Sequence, residues 1–201
     1  MANLFSLEYG KVTALTSVFA KEGLTAELGE AILKDRSLAR IMIAALVAAG
    51  QKIAEMFTAF VNYLQPSFDE LSKAFDWVNP NYAKARFEPI ERCKGIVRTA
   101  RDVVFSYFTI DRQMTTEQIL DAMDAAGLRP ALYEELLAFA SKYPNEQRKH
   151  VIAALGSIAR LGGDLHVACL DGFGRDRSLN LRCGNPAGPW SVSWFFLAAS
   201  K

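Results

Sequence analysis

After residue 150 the apolar period of the chain changes from helical to extended, and that change constrains the fold more than any other feature. Ser178-Leu179-Asn180-Leu181-Arg182 alternates cleanly, which sets Leu179 and Leu181 inward and the polar residues outward on a strand. Leu161-Gly162-Gly163-Asp164 is a hairpin signal between two apolar runs, Val151 to Ala159 and Leu165 to Leu170. Ser191 to Ala198 reads as a last apolar strand, central in its sheet or paired with the first. Asp171-Gly172-Phe173-Gly174 and the Gly- and Pro-rich stretch Gly184 to Pro189 read as loops.

Upstream, Asp102 to Ile110 (DVVFSYFTI) is β-branched and aromatic and favours a strand. Thr115 and Gln118 stand at capping-box spacing, so a helix starts there, with Ile119, Leu120 and Met123 inward. Gly127 fits its C-terminal stop. Pro130 marks a second helix start, with Leu132, Leu136, Leu137 and Phe139 as its buried face. Tyr143-Pro144 ends it. The order is strand, helix, helix, four strands. It suggests an antiparallel sheet with both helices on one side, its first and last strands paired.

The first half reads as helical. Leu24 to Leu33 and Ser37 to Ala49 are rich in Ala, Leu, Ile and Glu. Lys52 to Leu64 carries Ile53, Phe57, Phe60 and Leu64 at helical spacing, and Pro66 stops it. Phe68 to Trp77 is a short amphipathic helix before the Asn79-Pro80-Asn81 break. The expected fold class is therefore α+β, with a helical region at 1–92, for support or oligomerisation, and a binding domain at 93–201. Homo-oligomers are open, because apolar helices of this kind pack on each other or on a partner subunit. The most apolar window, Ile41 to Gly50, is half the roughly 20 residues a membrane span needs, so no span is expected. Met1 to Leu7 lacks the pattern of a secretory signal, which points to the cytoplasm and leaves surface display by another route open.

A net charge of +1 argues against a dedicated nucleic-acid binder, and 51% hydrophobic residues argue against disorder. The basic residues between Lys84 and Arg112 stand among acids; a nucleic-acid contact is conceivable, and a solvated connector with charges of both signs is the better reading. Cys93, Cys169 and Cys183 are too few and too scattered for a disulfide framework or zinc site; a Cys169–Cys183 bridge requires neighbouring strands. His166-x-x-Cys169 on one strand points to opposite faces, which is poor for joint coordination. Asp171, Asp176, Asn180 and Asn185 are too few for calcium, so no metal or cofactor is expected. No nucleophile motif, phosphate loop or HExxH pattern is present, and His150 and His166 read as a helix-end and a strand-surface residue. The two loops hold Asp171, Phe173, Arg175, Asp176, Arg177, Asn185 and Trp190. They read either as a recognition patch or as ordinary turns with Trp190 folded back on the core.

Three stretches in order carry a family resemblance. Gly127-Leu128-Arg129-Pro130-Ala131 leads into Glu134-Glu135-Leu136-Leu137. Ala153-Ala154-Leu155-Gly156-Ser157 follows. Trp190, Phe196-Leu197-Ala198 and Lys201 close the chain. This pattern over residues 95–201 resembles the variable proteins of diversity-generating retroelements, in the branch found in archaea and small-genome bacteria. The resemblance implies a C-type-lectin-like fold and a non-enzymatic, ligand-binding role. It also implies a surface diversified by adenine mutagenesis to bind varying targets, expected to be proteins. Leu170, Leu179, Leu181, Phe196 and Leu197 would be scaffold. Cys169, Asp171, Phe173, Ser178, Asn180, Arg182, Cys183, Asn185, Ser191 and Ser193 would be variable, with Arg175 and Trp190 nearby. The chain departs from the pattern at Phe195, where an Arg is common, and in a longer Gly184 to Pro189 loop. Two other readings compete: an assembly protein driven by its apolar helices, and an oxidoreductase of the same broader fold that uses Cys169 and Cys183.

Overall fold

Gly156 lets the backbone of one long strand come against the Pro130 and Ala131 carbonyls of the segment that leads into a helix. In the computed structural model, residues 56–172, 174, 176–183 and 188–201 are described, Cys183 by its main chain alone. The chain divides into two compact units, Met1–Thr58 and Ala59–Lys201. The sequence-read helices at 24–33 and 37–49 lie outside the described residues.

The strands are β1 (Met56–Val61), β2 (Trp77–Val78), β3 (Glu88–Pro89), β4 (Arg101–Thr109), β5 (Leu128–Pro130), β6 (Val151–Leu161), β7 (Asp164–Asp171), β8 (Ser178–Cys183) and β9 (Trp194–Ser200). The α-helices are α1 (Phe68–Ala74), α2 (Thr116–Ala125) and α3 (Tyr133–Lys142). The strands form one nine-stranded sheet in the order β1-β4-β9-β6-β7-β8-β2, with β3 added to β6 and β5 to β9. The sheet is mixed: β6–β9 and β2–β8 are parallel, the other registered pairs antiparallel.

This overturns the expected fold class. Among the described residues there is no helical N-terminal half. Residues 56–92 hold three strands and one seven-residue helix, and their strands join the same sheet as the rest. The C-type-lectin-like unit, with its four-stranded antiparallel sheet, is likewise replaced by a larger mixed one. The physical reason is clearest in β1. Phe57, Phe60 and Leu64 repeat at helical spacing, but burial alternates through Phe57, Ala59 and Val61 while Phe60 is exposed. Aromatic and β-branched residues favour that period of two.

The two helices also lie on opposite faces. Ile119, Leu120 and Met123 of α2 pack with Ala153, Leu155, Val167, Phe196 and Ala198. Phe139 of α3 instead meets Phe105 and Tyr107 edge-on, at 6.2 and 6.0 Å. Phe108, one position on from Tyr107, packs on the α2 side, as strand alternation requires. The local signals for α2 hold: Thr115 and Gln118 form a capping box, and Gly127 adopts φ 72° past its end. Pro130 lies in β5 rather than at the start of α3, which begins at Tyr133.

Gly156 explains the tight centre. A methyl there would sit 2.5 Å from the Ala131 carbonyl oxygen, which accepts the Gly156 N–H at 2.9 Å. Only glycine allows that approach. In the first turn of α3, Glu135 is fully buried. Its carboxylate takes a bidentate pair from Arg129 at 2.7 and 2.8 Å, the Tyr63 hydroxyl at 2.7 Å and the Leu132 N–H at 2.8 Å. The buried Glu134 beside it accepts from Arg98 and Gln65.

Candidate ligand-binding face

Ladder register decides which of the sequence-read positions can reach a ligand. In the β7–β8 pair, Cys169 stands opposite Asn180, Asp171 opposite Ser178, and His166 opposite Cys183. Ser178, Asn180 and Arg182 therefore share one face, with Leu179 on the other at 0% exposure. That face is covered at β7 and open toward the end of β8, past the two residues that pair with the short outer strand β2. Arg182 is exposed, while Asp171, Ser178 and Asn180 are half-buried.

Cys169 is corrected, and Trp190 is decided between its two readings. Cys169 is 3% exposed, within the α2-side core, so it is no surface position. Burial, and secondarily Asp171, pushes its thiol up to about 12. Trp190 is 4% exposed and belongs to the same core. Its indole N–H donates to the Thr116 hydroxyl at 2.9 Å, its backbone bridges Met114, and its ring meets Trp194 and Phe196 edge-on. Phe173, Arg175 and Asn185 lie outside the described residues. Cys169 and Cys183 are three positions apart along the ladder, so their strands are neighbours while their main chains are not opposed. Cys169 is a free thiol. No group of three metal-ligating side chains occurs among the described residues.

Asn180 has a defined task. Its Oδ1 accepts the Leu181 N–H at 2.8 Å and the Asn79 Nδ2–H at 3.0 Å, and its Nδ2 reaches Asp171 at 3.4 Å. The Tyr82 hydroxyl donates to the Asn180 carbonyl at 2.9 Å. Because β2 pairs only with Ser178 and Leu179, these contacts occupy main-chain groups just past that pairing and blunt the edge against a further strand. Beyond Asn180 the face is freer. The Arg182 guanidinium lies over the Trp194 ring, 5.5 Å from its centroid. Ser191 and Ser193 share a hydroxyl contact of 2.8 Å on the turn before β9, where Val192 is exposed.

Trp194, Asn79, Tyr82 and Gln147 were not legible as site residues, and Arg177 was legible only as a loop residue of a recognition patch, not as an anchor. Each matters through partners roughly 10 to 100 positions away, which no local pattern carries. A second cleft of about 560 Å³ collects Arg92, Arg101, Arg129 and Lys201. It is a poor anion site: Arg92 pairs with Glu117 and Asp121, Arg129 with Glu135, and Lys201 with Asp124. Arg92 and Arg98 lie in the connector read as solvated, and both make ion pairs there. No helix among the described residues is long and apolar enough to cross a membrane.

Compared with known proteins, the chain matches no family model, no curated protein and no solved structure.

Proposed function

We propose that this is a non-enzymatic ligand-binding protein whose recognition surface is the open face of β8 with the 191–193 turn, diversified at exposed positions by a retroelement. One observation carries the reading. Within a few positions of one another, β8, the 191–193 turn and the start of β9 hold side chains sealed in the core (Leu179, Phe196) and side chains turned to solvent (Arg182, Ser193). Exposed side chains on such a frame can be exchanged with little effect on folding. An Arg held on a Trp face, beside small hydroxyl residues, suits recognition of a protein partner. Sequencing the DNA around the gene tests the diversification directly. The expected result is a reverse transcriptase and a near-identical template repeat that differs at adenines, covering codons for Arg182, Ser191 and Ser193. A locus without such a repeat refutes it.

A second reading, an assembly protein, is favoured by Phe60 and Leu64, which are 63% and 72% exposed beside Leu137 and Ala138 of α3. Light scattering of Phe60→Ser/Leu64→Ser separates the two: loss of an oligomer supports assembly through that surface, and an unchanged mass removes it.

A further inference from the structure

The connection from β7 to β8 is fastened at both ends by groups from outside it. Gln147 lies in a 3₁₀ turn (Glu146–Arg148) just before β6 and is 2% exposed. Its single amide nitrogen donates to the Asp171 carbonyl at 2.8 Å and the Ser178 carbonyl at 3.2 Å, the two ends of the connection. Gly172 presses on the same turn: a Cβ there would lie 2.9 Å from both the Gln147 and Asp176 carbonyl oxygens.

Arg177 fastens the far end. Its guanidinium donates to the Ala74 carbonyl at 3.0 Å and the Ala140 carbonyl at 2.9 Å, in the last turns of α1 and α3. A cation is favoured where two helices end. The same group lies over the Phe75 ring, 5.0 Å from its centroid. Its backbone is held as well: the Arg177 N–H donates to Asp76 at 2.7 Å, and its carbonyl accepts from Asp76 and Trp77. Between these anchors, Gly174 and Asp176 are exposed.

We propose that Gly172, Gln147 and Arg177 form a base that fixes both ends of the 171–178 connection independently of its tip. The tip can then change in sequence and length while β7 and β8 stay in register. The inference rests on the ligand-binding reading only for its use, as a second exchangeable element beside the β8 face; the anchors stand without it. Once the ends are fixed, added length costs little, because closure entropy grows only slowly with loop length.

Amide hydrogen exchange on the full chain tests this with four variants. A Gly-Ser-Gly-Ser insertion after Gly174 is expected to leave exchange in β7 and β8 within about twofold of the parent. Arg177→Ala is expected to speed exchange at Asp76, Trp77 and Ser178–Asn180 by about tenfold while β6 and β9 keep their rates. Gln147→Ala should do the same at residues 171–178, and stands in if Arg177→Ala fails to fold. Arg177→Lys should rescue only in part, since an ammonium lacks the fork that spans two carbonyls. The base is overturned if the insertion alone loosens β7 and β8 by about tenfold, or if the anchor variants accelerate β6 and β9 as much as β8. These results are independent of the template repeat, so either idea can fail alone.

Discussion

The centre of the sheet and its β8 edge are held together by different means. At the centre, β6 and β9 both bond through their backbones to Ala131, just before α3. Gly156 touches the Ala131 carbonyl, and Ala153, Phe196 and Ala198 have 0% exposure. At the edge, main-chain carbonyls carry the ties: the Gln147 amide donates to those of Asp171 and Ser178, the Tyr82 hydroxyl to that of Asn180, and the Arg177 guanidinium to those of Ala74 and Ala140. Close packing leaves a side chain no freedom to change, since even one methylene is felt. Ties to backbone carbonyls leave neighbouring side chains free, because the carbonyl is the same whatever residue bears it. One chain thus holds an intolerant frame and a tolerant rim.

The contrast breaks first if the frame proves soft. Glu135→Ala strands the half-tied Arg129 guanidinium, and removing one partner of a buried ion pair costs about 3–5 kcal/mol. Urea denaturation should show that loss, and a smaller one for Tyr63→Phe, which removes one of the three groups donating to Glu135. Gly156→Ala forces backbone apart at the Ala131 contact and should cost about 3 kcal/mol, read the same way. A near-neutral result at either site would mean that the centre yields like the edge.

Alkaline pH sharpens the same point. Burial pushes Cys93 up to about 11 and Cys169 up to about 12 from 9.0; burial and then Glu135 push Tyr63 up to about 12 from 10.0. Each folded pKa is raised, so the folded state favours the protonated form. That contribution is complete below the ordinary values and is lost as pH rises through the raised ones. Stability should be level up to about pH 9 as far as these groups decide it, then fall toward pH 12, and Cys169→Ala should make the fall shallower.

Legibility in the sequence divides along the same line. The capping box of α2, the glycine turn between β6 and β7 and the alternation of β8 are local chemistry, and each stands where the residues indicated. β1 was misread because Phe57, Phe60 and Leu64 satisfy a helical period by chance, whereas the sheet selects the competing period of two. Cys169 was misassigned to the surface, and Trp190 was left between patch and core, because alternation tells which residues share a face and not what covers it. Thr116 and the α2-side core cover these two. Gln147 shows no pattern at all, and Arg177 reads as a loop residue rather than an anchor, since their partners lie on α1, α3, β7 and β8.

The most direct test of the tolerant rim is urea denaturation of one variant carrying Arg182→Ser, Ser191→Asn and Ser193→Tyr together. Unfolding free energy within about 1 kcal/mol of the parent, with an unchanged slope, is the predicted result. A loss of about 3 kcal/mol or more would show that these side chains hold the fold, and would contradict an exchangeable binding face.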